Sequence, residues 1–243
     1  MQPTYLPWIG YFKLINSVDK FVFLDDVQFN KRSWQQRNKI LLNNKTHYLT
    51  VPIKSKGKFL QKINEVMIDE SIEWRNDHLK TLELAYKKRK YFKEIYNILN
   101  DVYDKKDQYL SSMNIDLIKT IMKYLEIDRE IIFSSKLKTL GSKDEKLISI
   151  LKKINVSEYI SPEGSKVYIG KGESFINNQI NISYFKYTHP TYTQGRGNEF
   201  VKNLSIIDAL FNLGKGTLNL IDWKFFKIIL TNENTFRILW PGL

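Results

Sequence analysis

Apolar residues along the chain fall into short blocks and longer periodic stretches. The blocks at 21–24, 48–51, 130–133, 158–161 and 182–187 are strand-length and bounded by turn-forming or charged residues, which predicts strands. Pro52 ends the second of these or places it at an edge. Between about 70 and 126 the period changes. Leu79, Leu82 and Tyr86, then Phe92, Ile95 and Leu99, then Ile118, Ile121 and Leu125 recur at helical spacing, so this region predicts two or three helices whose stripes are packing faces. Shorter helices are predicted over 11–17 and 205–213, the latter closed by Gly214, and from about Lys143, where Ser142 and Glu145 have capping-box spacing. Strands alternating with helices predict an α/β fold, a parallel or mixed sheet flanked by helices. The expected organisation is one domain over 1–214 with a helical insertion at 70–126, followed by a tail at 215–243 that the pattern does not explain. No internal repeat or low-complexity linker interrupts it.

The first dozen residues fit neither period. In Gln2-Pro-Thr-Tyr5-Leu-Pro-Trp8-Ile-Gly10-Tyr11-Phe, each proline fixes φ and removes an amide donor, which predicts a shaped loop. The first strand then runs into Asp25-Asp26-Val-Gln28, with Arg37-Asn38 shortly after. Open α/β sheets collect ligand-binding groups at strand ends, so this polar cluster is a candidate site.

Composition narrows the chemistry. The 243-residue chain has no cysteine, which excludes disulfides, thiol nucleophiles and thiolate zinc sites. No apolar run is long enough to span a bilayer and the start is unlike a signal peptide, so a cytoplasmic protein is expected. The formal charge of +12 suits nucleic acid, but the lysines are spread along helices beside Asn and Ile and no recognition motif accompanies them. Nucleic-acid binding is therefore disfavoured; attraction to sugar phosphates or peripheral association with an anionic membrane stays open.

Each candidate side chain has a functional and a structural reading. Side chains alternate along a strand, so one of Asp25 and Asp26 suffices as a general base or magnesium ligand; otherwise they are turn or cap aspartates. Arg37 suits bidentate recognition of phosphate or carboxylate, against a surface ion pair. Gln2, Tyr5, Gly10, Tyr11, Gln28 and Asn38 can contact substrate, Gln2 and Tyr5 foremost, whereas Trp8 is assigned to the core. His189, with Tyr192 and Gln194, forms a second polar cluster after a strand and is the candidate for proton transfer, against a loop-fixing role before Pro190. Lys143, in Gly141-Ser142-Lys143 at a helix start, can bind an anion. Ser161-Pro-Glu-Gly164-Ser165 is a weaker phosphate loop. The histidines lack metal-ligand spacing, so no metal site is assigned.

The opening pattern Gln-Pro-x-Tyr-x-Pro-Trp-x-Gly-Tyr-Phe resembles the WbqC-like protein family. The resemblance continues in Asp25-Asp26-Val-Gln28-Phe29, Thr50-Val-Pro52, Gly141-Ser-Lys-Asp-Glu-Lys-Leu147, His189-Pro-x-Tyr192-x-Gln194 and Asn203-Leu-Ser205-Ile-Ile-Asp208. It implies a role in bacterial surface-polysaccharide (O-antigen or capsule-type) biosynthesis, as a transferase moving an acyl or aminoacyl group to an amino sugar carried on a nucleotide or a lipid. ATP with Mg²⁺ or an activated acyl donor would serve such a reaction, and the sequence leaves that choice open. The alternative is a non-catalytic sugar- or nucleotide-binding partner of a glycan-assembly complex. Similar sequences carry a short apolar strand before Gln-Pro, so the reading frame is expected to extend upstream of Met1 by one strand.

Overall fold

The computed structural model describes residues 1–169, 172–195 and 199–222. The chain enters through an extended loop, then forms α1 (Ile9–Asn16), β1 (Lys20–Phe23), β2 (Arg37–Leu42), β3 (Lys45–Thr50), α2 (Trp74–Tyr86), α3 (Phe92–Asp104) and α4 (Leu110–Tyr124). It continues with β4 (Glu130–Phe133), α5 (Ser134–Leu137), α6 (Lys143–Lys153), β5 (Glu158–Pro162), α7 (Lys166–Ile169), α8 (Glu173–Ile176), β6 (Asn181–Phe185), α9 (Ile206–Leu213) and α10 (Leu218–Ile221).

The strands form parallel pairs β1–β4 and β5–β6 and an antiparallel hairpin β2–β3, a mixed α/β arrangement as expected. The hairpin is where sequence and structure part. Only 48–51 was expected to be extended, but the chain reverses at Asn43 (φ 49°) and Asn44 (φ 63°) and pairs Arg37 with Thr50. Asparagine tolerates the left-handed conformation that a two-residue hairpin turn requires, so Asn43-Asn44 is the local signal.

A large core joins the opening loop, α1, the hairpin and α9 to the periodic stripes of α2, α3 and α4, of which Leu82, Ile95, Leu99, Ile118 and Ile121 are fully buried. The region 70–126 is thus an integral wall of the main core. Ile221 is buried in the same core, so packing continues beyond 214; residues 223–243 of the expected tail lie outside those described. A smaller cluster of Ile148, Leu151, Ile169, Phe175 and Ile180 holds α6, α7 and α8 against β5–β6.

The helix near 143 starts as expected, but without its capping box. Ser142 makes no side-chain cap bond, because Lys143 sits at φ 46° and turns the first residue of α6 out of helical geometry. Ser205 does cap α9, accepting from the Ile207 amide at 3.4 Å.

Candidate functional site

Because β1 and β4 are parallel, both C-terminal ends open at the same edge, and the residues after them meet there. Asp25 and Asp26 follow β1; Ser134 and Ser135 follow β4 at the start of α5. One Asp25 oxygen accepts from the Ser135 amide at 3.0 Å and the Ser134 hydroxyl at 3.1 Å, and the other accepts from the Ser135 hydroxyl at 2.6 Å. Ser134 Oγ also contacts Asp26 and accepts from the Asp25 amide at 3.2 Å. The second Asp26 oxygen meets Lys146 Nζ from α6 at 2.7 Å.

Ser134 is fully buried and Asp25 nearly so. Burial pushes the Asp26 carboxyl up, but hydrogen bonds from Lys146 and Ser134 outweigh it and hold the group below the usual carboxylate range. A carboxylate held this firmly in its ionised form is a weak base and a good anchor for a cation. The cluster is therefore built to fix charge: a carboxylate pair, an ammonium beside it and two hydroxyls at a strand edge.

Beside it lies a cavity of about 1020 Å³ between β1 and the β5–α6 unit. Leu24 and Leu147, the chain neighbours of Asp25 and Lys146, line it. Its apolar wall comes from Phe21, Val22, Ile150, Leu151 and Ile160, while Gln2, Thr4, Gln35 and Asn38 add polar groups, with Trp34 and Lys39 also in the lining. Thr4 Oγ1 is buried without a hydrogen-bond partner among the described residues.

The cavity is flanked by strand edges. Met1 continues the β1 sheet by one residue: its amine donates to Val22 O at 2.6 Å and its carbonyl accepts from the Leu24 amide at 2.8 Å, the pattern of a parallel strand. Burial lowers the pKa of that amine to about 5. Asp19 O accepts from the Glu130 amide, so by alternation Lys20 and Val22 turn their backbones away from β4; Glu158 and Ile160 likewise turn away from β6.

Residues 2–219 match the WbqC-like protein family. The chain belongs to that family. It is 34% identical over 216 residues to the uncharacterised protein Rv1507c of Mycobacterium tuberculosis, an alignment covering 88% of this chain and 92% of that protein. No solved structure matches. Among the described residues of this WbqC-like protein, no helix is long and apolar enough to cross a membrane.

The polar residues of the opening motif divide unexpectedly. Gln2 lines the cavity, with its side-chain oxygen accepting from Gln35 Nε2 at 2.8 Å. Tyr5, expected to contact a ligand, is fully buried and hydrogen-bonds His78 Nδ1 at 2.9 Å and the Tyr103 hydroxyl; no local signal announces partners so distant in sequence. Trp8, expected in the core, packs against it as expected, half-buried, and its exposed part forms cavity wall. Gly10 admits the Trp8 indole, whose ring atoms would lie 2.5 Å from an added Cβ. Tyr11 is buried, and its hydroxyl donates to Gln2 O at 2.9 Å.

Asn38 is a loop clamp. Its amide donates to Tyr5 O at 3.2 Å and Leu6 O at 2.7 Å, and Ser205 Oγ donates to the same Leu6 carbonyl at 2.7 Å. These bonds hold Leu6 at φ 41°, a conformation costly for a bulky residue. Gln28 is exposed and bridges to Lys62; the Arg37 guanidinium lies over the Tyr48 ring, 4.6 Å from its centroid.

The second predicted cluster sits behind the Trp8 wall. Trp8 packs edge-on to Tyr187 at 4.5 Å, and Tyr187 packs against His189 at 5.7 Å, so the Tyr187 ring separates His189 from the Trp8 lining of the cavity. Its Nδ1 bonds Pro190 O at 2.8 Å, and burial lowers its pKa, leaving a neutral ring with the Nε2 lone pair free of that bond. Tyr192 donates to the buried Asp208 at 2.8 Å, while Gln194 staples Val201 through two 2.8 Å bonds. Lys143 is exposed. In the weaker phosphate loop, the Ser161 and Ser165 hydroxyls satisfy each other at 2.6 Å.

Ser134, Ser135 and Lys146 were not singled out from sequence. The rule that pointed to Asp25 and Asp26 applies equally to Ser134-Ser135 immediately after the 130–133 strand. Lys146 lies inside the Gly141-to-Leu147 motif but has no local feature distinguishing it from other helical lysines.

Proposed function

We propose that this WbqC-like protein is a transferase of bacterial surface-polysaccharide biosynthesis that moves an acyl or aminoacyl group onto an amino sugar. The supporting observation is the Asp25–Asp26–Ser134–Ser135–Lys146 cluster at the common end of β1 and β4. An amino sugar arrives as an ammonium, which the Asp26 carboxylate, held ionised, binds; Lys146 attracts the carboxylate or phosphate of an activated donor. The amine must shed a proton, attack the acyl carbon and displace the donor's leaving group, the thiolate of a thioester or the phosphate of an acyl phosphate or adenylate. His189, held neutral by burial behind Tyr187 and Trp8, is the proposed proton acceptor through a water relay rather than by direct contact, and Arg37 is the proposed contact for a sugar-linked phosphate. Family membership supports the biosynthetic setting.

A non-catalytic sugar- or nucleotide-binding role is the competing proposal. It is favoured by one observation: the hydroxyls of Ser134 and Ser135 and the Lys146 ammonium are all committed to Asp25 and Asp26, so the cluster satisfies its own groups as a rigid binding platform does.

A thermal-shift panel of amino-sugar nucleotides, coenzyme A esters and ATP with Mg²⁺ tests ligand binding in wild type and Asp26→Asn. An amino-sugar nucleotide at a hundred times its Kd should stabilise the wild type by about 2.7 kcal/mol, and Asp26→Asn should lose most of that response. Equal responses in the two proteins would remove the cluster from the binding site. Product formation from the ligand pair that binds then separates an enzyme from a carrier.

A further inference from the structure

The segment Lys54-Ser-Lys-Gly-Lys-Phe59-Leu60-Gln61-Lys62 is absorbed by neither the core nor the candidate site. Its base is tied down at both ends: the Lys54 amide donates to Met67 O at 2.9 Å, and the Ile63 amide donates to Val27 O at 2.9 Å. Between these anchors the chain turns through Gly57 (φ 73°). At the turn Phe59 is 86% exposed and Leu60 81% exposed. Scattered exposed apolar residues need no explanation, but two adjacent large ones at a projecting tip, ringed by charge, are informative.

That ring is basic. Lys56 and Lys58 precede Phe59 within the loop, and neither has an ion-pair partner among the described residues. The neighbouring turn adds exposed Lys31 and Arg32, held alongside by the Phe29 amide on Gln61 O at 2.9 Å and by the Gln28–Lys62 bridge. Nearby acids lie toward the base: Glu65 accepts from the Lys62 amide at 2.9 Å, and Lys54 helps lower the pKa of Asp69 after the bonds from Ser71.

We propose that this loop docks the protein on an anionic lipid bilayer, with Phe59 and Leu60 inserted at the interface and Lys56, Lys58, Lys31 and Arg32 on the headgroups. An apolar tip with a basic collar fits that partner in both area and charge. A nucleic acid would take the charge but has no place to bury an adjacent Phe-Leu pair. Asn30, Ser33 and Trp34, in the turn beside the loop, line the large cavity, so docking would turn that rim toward the bilayer. If the proposed transfer reaction holds, the acceptor sugar is then presented on a lipid; docking itself does not depend on that reaction.

The test is flotation of the whole chain with vesicles of equal parts phosphatidylglycerol and phosphatidylcholine, against phosphatidylcholine alone. Wild type should float with the mixed vesicles and remain largely free with the neutral ones. Because all four side chains are exposed, Phe59→Ser/Leu60→Ser and Lys56→Glu/Lys58→Glu should melt like wild type. The charge reversal should weaken vesicle binding by more than about tenfold, and the Phe59/Leu60 variant should lose the salt-resistant part of binding. No flotation of wild type, or binding unchanged in either variant, overturns the proposal. Binding that needs the lysines but not Phe59 and Leu60 also overturns it, since it would be surface charge alone.

Discussion

Lys146 Nζ and Asp26 Oδ2 meet at 2.7 Å across 120 residues of sequence, joining α6 to the end of β1. Both side chains are mostly buried, with 13% and 14% exposure, so the pair is shielded far better than a surface ion pair. This contact links the β5–β6 half of the molecule to the acidic strand end.

Breaking that pair should cost stability in a pH-dependent way. Lys146→Met leaves Asp26 without its cation and should destabilise the fold by about 1–3 kcal/mol at pH 7, less than a fully buried pair would. Asp26 has a depressed folded pKa, so its contribution is present above the unfolded value of 3.8 and disappears as pH falls through the folded one. Urea unfolding over a pH series checks this: the variant should differ from wild type at pH 7, and the difference should shrink progressively as pH falls below 3.8.

His78 gives stability a second pH dependence with its own window. Burial among Tyr5, Trp74 and Tyr103 lowers its pKa to about 4, whereas the unfolded chain takes up the proton near 6.5. The folded state binds fewer protons between these values, so stability falls as pH drops from 6.5 toward 4, by on the order of 3 kcal/mol. Replacing His78 with Gln should flatten that portion of a stability–pH curve measured by chemical denaturation. An unchanged slope would assign it to other groups.

Two side chains converge on the Leu6 carbonyl, and their effects should be coupled. Asn38→Ala strips hydrogen bonds from two carbonyls in a dry interior and should cost about 2–3 kcal/mol; Ser205→Ala, which also removes a helix cap, should cost about 1–2 kcal/mol. Because both restrain one strained residue, a double-mutant cycle by urea denaturation should depart from additivity by at least about 0.5 kcal/mol.

Much of this architecture is legible in the sequence, and the exceptions share a cause. Short apolar runs mark β1, β4, β5 and β6, and helical periodicity marks α2 to α4, because burial on one face imposes those periods. Asp25-Asp26 is legible as a strand end. Tyr5 is not legible as core, since its hydroxyl is satisfied by Tyr103 and His78 from other helices. Lys146 is equally silent: its role exists only once α6 packs against the end of β1.

The strand edges along the cavity predict a gain from added chain. Four apolar residues, Val-Ile-Val-Ile, placed before Met1 would extend its parallel pairing along β1 and replace the buried amine with a peptide group. Burial of such side chains contributes about 1.5–3 kcal/mol each, against about 1–2 kcal/mol per residue for ordering the backbone. A rise in Tm of several degrees by calorimetry is expected; an unchanged or lower Tm would mean that the edges do not accept a strand.

The proposed chemistry is tested most directly by the glycan itself. In the source organism lacking this gene, wild-type protein, Asp26→Asn, Arg37→Ala and His189→Ala are expressed in turn, folding is confirmed by circular dichroism, and the surface polysaccharide is analysed by mass spectrometry. Wild type should restore an acyl or aminoacyl substituent on an amino sugar. The folded variants should restore little, since loss of a positioned acid, base or charge typically lowers rate ~10²–10⁴-fold. Full restoration of the substituent by all three folded variants would contradict the catalytic account and leave the protein as a binding partner.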